Sequence, residues 1–174
     1  MSVSADELRR VAEGPRPDEK PTGQLVVADV HCDGDAAAAL ARCREVMTVV
    51  LAHSDGEWVS DEQWRKLLPA WFVEASAPDP TPEQMRELMA RRAAMAPEER
   101  RAFDAERAQR WSVGAFVSNF DPEERTWYWW SAEVINDDRF QIQLVADDWP
   151  AQVGALEWLL RAAGGREIDI DIAY

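Results

Sequence analysis

The nine residues from Thr126 to Val134 read TWYWWSAEV, with three tryptophans and a tyrosine in four consecutive positions. Bulky aromatic side chains fit the half-buried surface of a pleated sheet better than a helix flank or a loop, so this segment predicts a strand. Each indole covers about 150–250 Å². A strand this aromatic cannot leave both faces in water without forming a patch of several hundred Å². The chain must therefore build a second layer over the strand.

Neighbouring runs extend the sheet. FQIQLVA (140–146) puts Phe140, Ile142 and Leu144 on one side, and Asn136-Asp137-Asp138 supplies the turn before it. WSVGAFVSNF (111–120) alternates and predicts another strand. REIDIDIAY (166–174) alternates isoleucine with acid, and QLVVADVHC (24–32) is valine-rich. Closely spaced strands in the C-terminal half imply an antiparallel meander.

Helices fill the intervals. Asp35 caps one from Ala36, with Leu40, Cys43, Met47 and Val50 on a common face. The β-branched stretch VMTVVLA inside it leaves a strand from Val46 as the alternative. Ser60 with Gln63 forms a capping-box signature for a helix ending near Pro69, and AWFVEA follows. Thr81-Pro82 and Ala96-Pro97 open two charge-rich helices, a hairpin over 81–110 with few apolar anchors. Asp147 or Asp148 is placed to cap a helix through 149–163, which Gly164-Gly165 ends.

The order is β-α-α-αα-β-β-β-α-β. It predicts an α+β fold: a mainly antiparallel sheet with helices packed on it and a charged helical hairpin inserted at 81–110. Residues 1–22 read as a flexible tail in which SADELRR could form one or two helical turns from Ser4 before Gly14, Pro15, Pro17 and Pro21 break it. Residues 23–174 read as one domain.

Alternation splits the aromatic strand into two faces. Tyr128, Trp130, Ala132 and Val134 lead into small and β-branched residues and are expected to face the core. Trp127, Trp129, Ser131 and Glu133 face the other way. There the 60–76 helices could cover the two tryptophans, or they could form an open aromatic surface rimmed by acid.

Charge decides what such a surface would attract. The formal net charge is −14. Residues 1–80 hold 15 acids against 8 bases, 81–110 hold 6 against 7, and 111–174 hold 12 against 4. Nucleic acid and anionic membrane are bound through lysine and arginine, so this balance argues against both. It would steer a basic protein inward, although the same charge also serves solubility. Only two of the 19 basic residues are lysines, and alanine is abundant, which suggests a bacterial gene of high GC content. Two cysteines, a polar N-terminus and no long apolar run predict a cytoplasmic protein with free thiols, a Cys32–Cys43 bond being left open.

Catalytic signals are thin. VHCDGD holds His31, Cys32, Asp33 and Asp35 at a strand end, but neighbouring strand residues point to opposite faces, so His31 cannot readily activate Cys32. His53 is a more distant partner. No metal-ligand spacing, phosphate loop or nucleophile motif is present, so no cofactor, metal or catalytic residue is assigned. The expected function is a non-catalytic acidic protein that binds a basic partner, in the manner of an immunity protein or a secretion chaperone. Its anchors would be Trp127, Trp129, Trp111 and Trp149, with Asp147 and Asp148 on the rim. A homodimer through 81–110 is a further expectation. The alternative is a small-molecule binder or enzyme, with a tryptophan-lined pocket between the 126–134 strand and the 60–76 helices and His31, His53 or Cys32 as its polar group.

Overall fold

The computed structural model describes residues 3–54, 56–147 and 150–173. The fold is α+β, with one four-stranded antiparallel sheet and helices around it. The strands are β1 (Gln24–Cys32), β2 (Trp127–Asn136), β3 (Arg139–Ala146) and β4 (Gly165–Ile172), in the spatial order β2-β3-β1-β4. The helices are α1 (Val3–Glu13), α2 (Ala36–Ser54), α3 (Asp61–Leu67), α4 (Ala70–Ala75), α5 (Pro82–Ala94), α6 (Pro97–Ala108), α7 (Val113–Ser118) and α8 (Gly154–Ala163).

Helix α2 runs unbroken through VMTVVLA. Val46, Met47, Val50 and Leu51 lie inside the core, and that burial outweighs the weak helix propensity of β-branched residues. Asp35 caps it as expected, accepting from the Ala38 N–H at 2.8 Å. Ser60 and Gln63 form the expected capping box at α3, and Thr81 with Gln84 forms another at α5. Within residues 60–76, Trp64, Leu68 and Phe72 are buried, whereas Trp71 is half-buried and Leu67 is exposed. Gly164, at φ 120°, ends α8 in a conformation that favours glycine.

Four expectations are corrected. Residues 111–120 hold a short helix, α7, and not a strand. Val113, Phe116, Val117 and Phe120 repeat at helical spacing and are all buried, and Ser112 caps α7 by accepting from the Ala115 N–H at 3.2 Å. The segment carries both periods, and the helical one buries more. Helix α8 begins at Gly154 with Val153 at its N-cap position and no side-chain cap, so Asp147 is not its cap. Instead the Asp147 N–H donates to the Thr126 carbonyl at 3.2 Å and prolongs the β2–β3 pairing. Asp148 and Trp149 lie outside the described residues.

Third, the segment expected as a tail contains a docked helix. Val11 and Glu7 are both fully buried on α1, which packs on α2 and β2. The Glu7 carboxylate accepts from Arg125 Nη1 at 2.8 Å and Nη2 at 2.5 Å, and from the Trp129 N–H at 2.6 Å. Arg10 Nε donates to the Trp129 carbonyl at 3.3 Å. β2 is an edge strand, and an open edge invites pairing with other chains. Two side chains of α1 occupy the free hydrogen-bonding groups of that edge at Trp129.

Fourth, the aromatic strand turns its faces the other way over 127–129, while Ala132 and Val134 keep the expected side. Trp127 is 2% exposed and Trp129 0%, whereas Tyr128 and Trp130 are only half-buried. A β-bulge explains why simple alternation misleads. Trp129 pairs with Leu144 and Ser131 with Gln143, so Trp130 is an extra residue and the parity changes there. Trp127, Trp129 and Ala132 thus face the helices, opposite Ala146, Leu144 and Ile142. Trp127 is covered by α7, not by the 60–76 helices directly. A line of ring contacts runs from Phe72 to Phe116 (4.7 Å), Phe120 (5.1 Å) and Trp127 (5.5 Å). The Trp127 indole N–H donates to the Gln152 carbonyl at 3.2 Å.

Candidate functional site

The helix-bearing face of the sheet is sealed at its centre. Val26, Ala28, Val30, Phe140, Ile142 and Leu144 have no exposure at all. The alternate residues make the opposite face, and none of them is buried. Register places them in rows across the strands. Asn136, Arg139, His31 and Glu167 form one row, and Glu133, Gln141, Asp29 and Asp169 the next. Ser131, Gln143, Val27 and Asp171 form a third. Residues directly opposite share a face and lie about 4.5–5.5 Å apart at Cβ.

The charge on this face is graded. At its centre Asp29 accepts from Arg139 Nε at 2.7 Å, from a second Arg139 nitrogen, and from Gln141 Nε2 at 2.9 Å. The Arg139 bond is the main reason its carboxyl sits below the usual range, against the opposing effect of burial. His31 Nε2 lies 4.0 Å from the same carboxylate. Toward β4 the compensation ends. Glu167, Asp169 and Asp171 are exposed, and none makes an ion pair among the described residues; Glu133 on β2 is likewise exposed and without one. The acids of β4 share one face, so their fields add and attract cations.

β4 is also an edge strand, and among the described residues no helix is docked on its outer edge as α1 is on β2. The Ala173 N–H donates to Leu25 across the β1 pairing. Even-numbered residues of β4 therefore turn their backbone groups outward. Asp171 Oδ1 takes the outward Ile172 N–H at 2.7 Å, leaving the backbone groups of Ile168 and Ile170 along the edge.

The residues singled out from the sequence do not converge. Trp127 and Trp129 are core. Trp111 is half-buried and lines a cleft at the base of the 81–110 hairpin. Its ring rests on Gly154, where a Cβ would come within 3.0 Å. Asp147 is exposed, at the end of the sheet away from Glu167. His53 Nδ1 is 2.8 Å from the Val49 carbonyl of its own helix, and its ring meets Trp64 edge-on at 5.9 Å. Cys32 and Cys43 are both free thiols, and burial pushes both upward, Cys43 the further. His31 and Cys32 lie on opposite faces of β1, as expected. No group of three or more metal-ligating side chains occurs among the described residues. No described helix is long and apolar enough to cross a membrane. The open face itself is visible in the sequence as the acids alternating with isoleucine at 167–172. Compared with protein-family models, curated proteins and solved structures, the chain matches none.

Proposed function

We propose that the protein is a non-catalytic interaction protein whose open sheet face receives a basic protein partner, as an inhibitor or a chaperone would. One observation carries this reading: four carboxylates without ion-pair partners, Glu133, Glu167, Asp169 and Asp171, stand on one uncovered sheet face. The field they create favours encounter with lysine and arginine. The free β4 edge offers main-chain hydrogen bonds to a segment that adds as a strand. Specificity would come from Tyr128, Val145, Leu25 and Val27, the apolar members of the same face.

The contact is tested by zero-length carbodiimide cross-linking in extracts of the cells that make the protein. The expected result is cross-links from Glu167, Asp169 or Asp171 to lysines of one basic protein. Cross-links confined to other carboxylates would reject the face. A pocket with His31, His53 or Cys32 has less support, because those side chains have separate neighbours and Trp127 and Trp129 are packed away. Self-association through α5 and α6 stays within the proposal, since neither helix has a buried residue and Met89 is 50% exposed.

A further inference from the structure

The cleft at the base of the hairpin has the opposite charge character from the rest of the molecule. It encloses about 740 Å³ between α5, α6, the 77–80 linker and the start of α7. Pockets of roughly 300–1,000 Å³ with apolar walls and a few polar groups are what small organic ligands occupy. Pro78, Pro80, Leu88, Phe103 and Trp111 provide the apolar wall.

The frame of the cleft is fixed by bonds that leave two cations over. Arg92 holds Asp104 through two bonds, at 2.7 and 2.6 Å, and so joins α5 to α6. Arg110 is committed to the end of α4, donating to the carbonyls of Ala75 at 2.9 Å and Ser76 at 3.0 Å. The Ala77 N–H donates to the Trp111 carbonyl at 2.8 Å, and Asp79 accepts from the Gly114 N–H at 2.9 Å, so the linker is pinned to α7. Arg91 and Arg107 remain. Each guanidinium lies 5.8 Å from the centre of the Phe103 ring, one from each helix, and neither has an ion pair among the described residues. Asp104 also feels Arg100 and Arg107, though Arg92 is the main cause of its lowered carboxyl. Glu106 is the other acid on the lining.

Two unpaired arginines sharing one aromatic ring repel each other, and an anion between them relieves that repulsion. Arginine offers a carboxylate paired donors in a fork, and its flat face stacks on rings. We infer that this cleft is a binding site for a small aromatic carboxylate, with Arg91 and Arg107 on its charge and Phe103, Trp111 and Leu88 against its ring. The site shares no residue with the acidic sheet face and stands or falls independently of it.

The probes are 2-naphthoate and its uncharged analogue 2-naphthalenemethanol, titrated calorimetrically into the full chain. The wild type is expected to bind one naphthoate and to prefer it over the alcohol. Arg91→Gln and Arg107→Gln should each weaken naphthoate about threefold to fivefold, the range of an exposed charge pair. The double variant should bind the acid and the alcohol alike, with alcohol affinity unchanged. Leu88→Ser should weaken both probes. Thermal melts confirm that the variants fold, and both arginine side chains are on the surface. Equal affinity for acid and alcohol in the wild type, an undiminished acid preference in the double variant, or no binding at millimolar probe would each overturn the inference.

Discussion

Glu7 joins the N-terminal helix to the aromatic strand, and its removal has a calculable cost. Its carboxylate has no exposure and accepts three hydrogen bonds, two from Arg125 and one from the Trp129 backbone. The Arg125 guanidinium is enclosed by rings, 5.2 Å from Phe120, 5.5 Å from Trp127 and 4.8 Å from Tyr128. Glu7→Ala would leave that cation buried without its partner and an edge N–H unsatisfied. Breaking a buried ion pair from one side costs about 3–5 kcal/mol. For a chain of this size each kcal/mol lowers the melting temperature by roughly 2–4 °C, so the expected loss is on the order of 10 °C. Replacing both partners by leucine removes the stranded charge. Urea denaturation of Glu7→Ala, Arg125→Leu and the Glu7→Leu/Arg125→Leu pair should therefore show strong coupling, with the double variant closer to wild type than either single one. The α1-free edge should also make Glu7→Ala prone to aggregation near its midpoint. A loss below about 1 kcal/mol, the level of an ordinary surface change, would refute the docking of α1.

Three other outcomes follow from the same packing. Trp129→Ala should destabilise by about 3–5 kcal/mol, as large aromatic truncations in cores do, and should leave partner affinity unchanged wherever the variant stays folded; a melt and a binding titration separate the two. Asp79 sits below the usual carboxyl range: burial pushes it up, but hydrogen bonds from Ser112, Arg65 and Gly114 together outweigh that. Its contribution is present above the unfolded value of about 3.9 and is lost as the pH falls through the lower folded value, so the stability gap between wild type and Asp79→Ala, about 1.5–3 kcal/mol at pH 7, should shrink when urea melts are repeated below pH 3. Sedimentation equilibrium should show the full chain associating and Met89→Glu remaining monomeric; a wild-type monomer at all concentrations would remove the hairpin as a seam.

Much of the fold was legible where one physical signal dominated. The capping box at Ser60, the helix start at Thr81-Pro82, the Asp35 cap and the alternation of 140–146 each had a single reading, and each is present. The errors arose where two signals competed or where tertiary contact decided. Residues 111–120 carry both strand and helix periods, and only the burial of Val113, Phe116 and Phe120 against Phe72 and Trp127 selects the helix. The bulge at Trp130 has no local sequence mark, yet it puts Trp127 and Trp129 on the same side as Ala132, which strict alternation forbids. Residues from Ser4 allowed one or two helical turns, but the docking of α1 depends on Glu7 meeting Arg125, 118 residues away, which no local pattern reveals. The acidic face was present as a pattern in 167–172, but its significance needed the sheet order, which makes β4 an edge and leaves that side uncovered.

The central claim is that a basic partner is held by the β4 face rather than by net charge alone. The decisive measurement is the dissociation constant of the cross-linked partner for two charge-matched variants, Asp169→Lys/Asp171→Lys on the sheet and Glu83→Lys/Glu87→Lys on the exposed side of the hairpin. The sheet variant should lose roughly tenfold or more in affinity, while the hairpin variant stays within about twofold of wild type. Equal losses in both would mean that the partner senses only the overall field, and would contradict a defined site on β4.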